Sequence, residues 1–223
     1  MNANTQRLTL ITAIIVALAI VGIIIYSRFQ PSTTTATTTP TNGELSYDDQ
    51  PRLGEADAPI TLAVFEDFKC PACKFFEESV LPQIKRDYID NGQASIYYFN
   101  FPFLGPDSTT AALAGECAYK QNEAAFWDYK TIIFRAQGAE SEEWARPSRL
   151  EELASNLGDL DAADLRTCID EERHADEVSA DRQIGVDVGV TGTPGLFING
   201  QKVENANNYN EVKAAIDEAL ADN

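Results

Sequence analysis

The sequence is poor in the residues that bind metal ions and nucleic acids. It has one histidine, His174, and four cysteines, and no second C-x-x-C or spaced histidine pair completes a zinc site. Only 17 lysines and arginines stand against 35 aspartates and glutamates, which gives a net charge of −18. Such a surface repels phosphate backbones and anionic lipid headgroups, so we expect no nucleic-acid partner. We also expect no metal and no other cofactor.

Charges are absent from one long stretch near the amino terminus. Residues 8–26, LTLITAIIVALAIVGIIIY, are uncharged and as a helix would span about 28 Å, close to the thickness of a bilayer core. No small-x-small motif or lipobox-like cysteine follows, which favours an uncleaved transmembrane signal anchor over a cleaved signal peptide. Arg7 and the terminal amine predict a cytoplasmic segment at 1–7. The rest of the chain is then expected on the extracytoplasmic side of the cell membrane, held by a single pass.

The segment after the anchor has little to bury. Residues 27–51 include PSTTTATTTPTNGELSYDDQP, which is rich in threonine and typical of a hydrated, flexible linker. Residues 52–222 have the apolar content of a globular domain. The sequence therefore predicts a folded domain that is joined to its membrane anchor by a flexible linker.

Within that domain the apolar pattern indicates an α/β fold. Residues 60–65, ITLAVF, and 94–101, ASIYYFNF, read as buried strands. Residues 107–187 are helical in pattern, and two short strands that turn at Asn199-Gly200 precede a last helix at 210–220. This order requires a parallel central strand pair. The helical block is too long for a simple crossover, so we expect a lid-like insert.

The stretch FEDFKCPACKFF, residues 65–76, carries two cysteines between the first strand and a helix. Metal binding, a structural bridge and redox exchange all use such a pair. Pro71 suits the first helical position, which puts the sulfur of Cys70 against the unpaired amides of the first turn, where a thiolate is favoured. Lys69 is expected to add to this effect. Cys73 lies one turn further along the helix and is expected to be buried. A disulfide between Cys70 and Cys73 would close a ring too small to stabilise the fold much, so thiol–disulfide exchange is the favoured role.

The same stretch, followed far downstream by GVTGTPGLFING, resembles the DsbA-like branch of the thioredoxin superfamily over residues 54–222. The resemblance implies a thioredoxin fold with a helical insertion domain. It also implies that Thr193-Pro194 is a cis peptide beside the dithiol, and that Thr193 offers backbone groups to an extended substrate peptide. Pro71 and Ala72, between the cysteines, are then supports of the active site.

Two departures from the family pattern affect the expected chemistry. The best-known members have histidine where this chain has Ala72, and many have a buried acid where it has Val64. Loss of a donor beside the thiolate predicts a milder oxidant. Glu66 and Asp67 are either proton shuttles near Cys73 or ordinary surface acids.

Cys117 and Cys168 both fall in the predicted insert. Paired, they would close a loop of about 52 residues worth roughly 4 kcal/mol in the chain-entropy model; two buried thiols are the alternative. An even cysteine count, a signal anchor and a redox-active pair favour the bridge. The resemblance to DsbA-like proteins also allows this bridge, because some members of that family have a second disulfide in the insert.

The function implied is that of a membrane-tethered thiol:disulfide oxidoreductase that forms disulfides in exported proteins through Cys70 and Cys73. By resemblance, a quinone-linked membrane protein would reoxidise it. A reductase or isomerase of the same fold remains an alternative, as does a module that binds metal or peptide without turnover.

Overall fold

The structure is a computed structural model, and it describes residues 45–222. The predicted anchor, residues 8–26, lies outside the described residues, and so does the predicted linker up to residue 44. None of the helices within 45–222 combines the length and apolarity needed to cross a bilayer.

A five-stranded sheet forms the centre of the domain, with strand order β1-β3-β2-β4-β5. Strands β2 and β3 are parallel, as predicted, and the other neighbouring pairs are antiparallel. The strand bounds are β1 Arg52–Leu53, β2 Ile60–Glu66, β3 Ala94–Asn100, β4 Gly195–Ile198 and β5 Gln201–Val203.

Seven helices accompany the sheet in the described part of the chain. Helix α1 follows β2 and runs through four consecutive segments, of which the second and fourth have π-helical hydrogen bonding: Pro71–Phe75, Phe76–Val80, Leu81–Ile84 and Lys85–Ile89. Five helices between β3 and β4 form the insert: α2 Pro106–Gln121, α3 Glu123–Arg135, α4 Pro147–Ala154, α5 Ala162–Asp170 and α6 Ala175–Asp187. Helix α7, Tyr209–Ala221, ends the domain. The thioredoxin fold with a helical insertion is thus confirmed.

The central strand is buried on both of its faces, which explains why its sequence is almost wholly apolar. Alternate residues point to opposite sides of a strand. Leu62 and Val64 accordingly pack into the larger core cluster, whereas Ala63 and Phe65 pack into a smaller one. Cys70 follows the carboxyl end of this strand by four residues, so the reactive segment is attached to a strand that is buried along most of its length.

The linker prediction was wrong at its carboxyl end. Leu45 is buried, Tyr47 packs against Tyr97 with ring centroids 4.7 Å apart and the rings tilted by 45°, and Gln50 donates a hydrogen bond of 2.7 Å to Asp181. Tyr47 and Gln50 lie in a mostly polar stretch of the sequence, but they contact a strand of the sheet and a helix of the insert. Residues 45–51 therefore belong to the folded domain.

Candidate active site

Cys70 caps the amino terminus of α1, and Pro71 is the first helical residue. Proline fits there because the missing N–H would have no intrahelical acceptor. The amides of Ala72 and Cys73 are left to point at the Cys70 sulfur, and both lower its pKa. The largest single cause is the Cys73 thiol, which donates a hydrogen bond, and together these groups lower the pKa of Cys70 to about 6 despite partial burial.

Cys73 has the opposite properties. It has no exposed surface, whereas Cys70 keeps 8% of its own. Burial raises the pKa of Cys73 well above its ordinary value, and its hydrogen bond to Cys70 raises it further. At neutral pH the pair therefore holds one thiolate, on Cys70, and one thiol, on Cys73. Cys70 is itself less exposed than the sequence suggested.

The proline loop lies against the dithiol. The Thr193–Pro194 peptide bond is cis, as the resemblance implied. The Cys70 sulfur lies 3.4 Å from the Thr193 carbonyl oxygen, to which it donates a hydrogen bond when it is protonated. Strand pairing produces this proximity, because the register sets Phe65 opposite Gly195 at the end of the sheet where Cys70 follows β2. Two segments that are 123 residues apart in sequence thus share one site.

A buried charged cluster adjoins Cys73. The Lys130 ammonium from α3 lies 2.9 Å from the Glu66 carboxylate and also binds Glu77 of α1. Burial raises the pKa of Glu66, Lys130 lowers it and Glu77 raises it again, so the net shift is upward. The Glu66 charge in turn raises the pKa of Cys73. Glu66 is therefore a buried acid that acts electrostatically on the dithiol, and the surface-acid alternative for it is wrong.

Asp67 and Lys69 are both buried and both bind the insert or the loop that leads into it. The Asp67 carboxylate accepts hydrogen bonds from the amides of Phe103 and Leu104 and from the Ser108 hydroxyl. The Lys69 ammonium lies 2.7 Å from Asp107. Lys69 thus does not present an unbalanced charge to Cys70, which corrects its expected role, and Asp67 is a structural acid rather than a surface one.

Three functional candidates were missed in the sequence. Lys130 carried a signal, since it falls between Phe126 and Phe134 at helical spacing on an apolar face, where a lone lysine requires a buried partner. No pattern in the sequence marks Asp107 or Gln137 as part of the site. The Gln137 side-chain amide donates to the carbonyls of Phe68 and Cys70, at 2.7 and 3.1 Å, and so ties the end of α3 to the turn before α1.

The other two cysteines form a disulfide. Cys117 of α2 and Cys168 of α5 are joined with their Cα atoms 6.1 Å apart, and both are buried. The bridge lies wholly within the insert. No group of three or more metal-ligating side chains occurs among residues 45–222.

These features define a thioredoxin-fold protein with a dithiol at a helix start, facing a cis-proline loop. A protein-family model described as thioredoxin matches residues 46–218. The chain is 34% identical to disulfide bond formation protein D of Bacillus subtilis over 179 aligned residues. The alignment covers 80% of this chain and 81% of that protein. It is 32% identical over 221 residues to a probable disulfide bond formation protein D of Bacillus cereus, with 99% of each covered.

Solved structures agree with this assignment. The crystal structure of oxidised BdbD from Bacillus subtilis has a TM-score of 0.76 at 34% identity and covers 79% of this chain and 95% of that one. That of Chlamydia trachomatis DsbA has a TM-score of 0.71 at 25% identity and covers 80% and 94%. The chain belongs to the DsbA-like thiol:disulfide oxidoreductase family of the thioredoxin superfamily, and it is a protein-disulfide oxidoreductase.

Proposed function

We propose that the protein introduces disulfides into exported proteins, with Cys70 as the sulfur that substrates attack and Cys73 as the leaving and resolving sulfur. The observation that carries this proposal is the asymmetry of the pair: the pKa of Cys70 is lowered to about 6 while that of Cys73 is raised. A stabilised thiolate favours the reduced enzyme, so the oxidised enzyme readily passes its disulfide on.

In the first step a substrate thiolate attacks the Cys70 sulfur of the oxidised pair. The bond between Cys70 and Cys73 breaks, a mixed disulfide forms, and the electron pair goes to the Cys73 sulfur. A second substrate thiolate then attacks the substrate sulfur of that mixed disulfide. Cys70 leaves as the stabilised thiolate, and the two electrons given up by the substrate dithiol remain on the enzyme.

Proton supply to Cys73 is assigned to Glu66. A buried sulfur with a raised pKa is a poor leaving group as an anion and needs a proton as it departs. Glu66 is itself raised in pKa by burial and has Lys130 as its counter-ion. We infer that Glu66 delivers this proton and recovers it when the dithiol is reoxidised.

Thr193 and Pro194 would hold the substrate. The Thr193 carbonyl lies next to the Cys70 sulfur, so an extended peptide that paired with this backbone would bring its own cysteine within reach. Pro71, which is exposed at the helix start, and Ala72 would form the opposite rim of the site. An unfolded or reduced polypeptide fits such a mode better than a folded one does.

Residues 8–26 are proposed to anchor the chain with residues 1–7 in the cytoplasm, and the catalytic domain is proposed to lie outside, joined by the threonine-rich segment that ends before residue 45. Reoxidation is assigned by family resemblance to a quinone-linked membrane protein. Carbonate extraction of membranes and protease treatment of intact cells test the anchor. Release of the full-length chain by carbonate, or protection of the domain in intact cells, would contradict it.

Two measurements test the function. The equilibrium potential of the Cys70/Cys73 pair against glutathione should be well above the value of about −270 mV typical of thioredoxin, and a value near that would favour the reductase alternative. Refolding of a reduced test protein should be assisted by the wild type and not by Cys70→Ser. Equal assistance by this variant would instead support a binding module without turnover.

A further inference from the structure

The buried pair of Lys69 and Asp107 is not used in the mechanism above. Lys69 is 3% exposed and Asp107 is 7% exposed, and their charged atoms are 2.7 Å apart. The other Asp107 oxygen accepts a hydrogen bond from the Ala145 amide. Charged side chains are rarely buried without a partner, so the pair has to be explained as a unit.

The neighbouring acid has its own partners. Asp67 accepts hydrogen bonds from the Lys69 backbone amide and from the amides of Phe103 and Leu104 in the loop after β3. It also accepts one from the Ser108 hydroxyl of α2. The Lys69 ammonium is bonded to Asp107 alone among the described residues. Asp107 is therefore the group that neutralises the lysine immediately preceding Cys70.

We propose that Asp107 sets the reduction potential of the Cys70/Cys73 pair by cancelling the charge of Lys69, as a positioning residue supplied by the helical insert. The proposal deepens the proposed function and rests on it. Lys69 precedes Cys70 directly and its side chain is buried, so a bare ammonium there would act on the sulfur with little screening by solvent. Paired with Asp107, it acts as a dipole and not as a charge.

This arrangement makes two substitutions act in opposite directions. Asp107→Asn keeps the shape and removes a negative charge, so the Cys70 thiolate is favoured and the pair becomes more oxidising. Lys69→Met removes a positive charge beside Asp107, so the thiolate is disfavoured and the pair becomes less oxidising. The double variant should return close to the wild type, because the net local charge is restored.

The expected size follows from the distance involved. A unit charge about 10 Å from the sulfur in a medium of effective dielectric near 20 changes the thiolate equilibrium by roughly 16-fold, and screening by salt reduces this further. We expect a three- to tenfold change in the equilibrium constant with glutathione for each single variant, roughly 15–30 mV.

The test equilibrates the full-length chain and its variants in glutathione buffers and measures the reduced fraction of the peptide that holds both cysteines by alkylation and mass spectrometry. Ultraviolet absorbance of the thiolate against pH gives a second readout. Matched controls are Lys85→Met and Asp90→Asn, which break an exposed ion pair at the far end of α1 and should leave the constant unchanged.

Charge-preserving variants separate electrostatics from packing. Asp107→Glu and Lys69→Arg should keep the wild-type constant within about twofold even where they lower the melting temperature. A larger shift in these charge-preserving variants would also overturn the proposal. Shifts of the same sign in Asp107→Asn and Lys69→Met, or no shift in either, would overturn the proposal. The proposed function is judged separately, by whether the wild type oxidises a reduced test protein.

Discussion

The ammonium of Lys130 lies 2.9 Å from the carboxylate of Glu66, and neither side chain has exposed surface. Glu66 ends the central strand and Lys130 belongs to a helix of the insert, so this ion pair joins the two parts of the domain next to Cys73. Glu77 shares the same lysine. One cation thus balances two buried acids.

Replacing Lys130 by methionine should destabilise the protein by about 3–5 kcal/mol near pH 8, because both acids lose their buried counter-ion. Without this counter-ion the pKa of Glu66 is raised further above that of the unfolded chain. Stability should therefore fall as the pH rises from about 4.3 towards that raised value, and recover on acidification. Urea unfolding at several pH values measures this.

The control for that variant is Lys130→Met with Glu77→Gln. It removes one of the two stranded acids and should recover part of the loss near pH 8. A loss of the same size at every pH would assign the effect to packing rather than to charge.

The second prediction concerns the hydrogen bond between the two cysteines. Cys73→Ala removes the largest of the groups that lower the pKa of Cys70, so the pH midpoint for alkylation of Cys70 should rise from about 6. Cys73→Ser keeps a donor and should raise it less. The rate of iodoacetamide reaction against pH provides the midpoints, and identical values for serine and alanine would argue against the thiol as donor.

The same titration has a consequence for stability. The pKa of Cys70 in the folded reduced protein, about 6, lies below that of an unfolded cysteine, about 8.5. Folding is thus favoured by the thiolate above the unfolded pKa, and this contribution is lost as the pH falls through about 6. The Cys70→Ser variant should lack this pH dependence when both proteins are unfolded by urea under reducing conditions.

A third prediction tests Gln137. Gln137→Met leaves the carbonyls of Phe68 and Cys70 without this donor and should cost about 1–3 kcal/mol. Gln137→Glu also brings a negative charge to the turn, so it should raise the pKa of Cys70 as well. Alkylation against pH separates the two variants. If both leave the midpoint of Cys70 unchanged, Gln137 affects stability alone.

A fourth prediction concerns the disulfide between Cys117 and Cys168. Replacing both residues by alanine should lower the free energy of unfolding by about 2–5 kcal/mol, because the unfolded chain gains the freedom of a long loop. The bridge is confined to the insert, so the alkylation rate of Cys70 in the folded variant should match that of the wild type. A changed rate would mean that the bridge also shapes the active site.

Periodicity and turn residues predicted most of the fold. Phe76, Val80, Ile84 and Tyr88 recur every four residues and form a buried face of α1, and Pro71 does begin this helix. Strand β1 was missed because two residues are too few to show alternation. Local patterns thus identify elements that are long enough to repeat.

Pairings between distant segments were beyond such patterns. A sequence shows that Lys69 is next to Cys70, but not that Asp107 of the insert neutralises it. Glu66 was ambiguous for the same reason, since its partner Lys130 lies on another element. The identity of the dithiol could be predicted, whereas the electrostatics around it depended on tertiary contacts.

The antiparallel placement of β4 beside β2 has a consequence for biosynthesis. The carbonyl of Thr193 joins the helix that starts at Cys70 only after most of the chain has been made. A growing polypeptide that has not yet reached residue 193 has the C-x-x-C motif but not the proline loop that lies against it. We therefore expect the site around Cys70 to stay incomplete in the ribosome-bound chain until β4 pairs with β2.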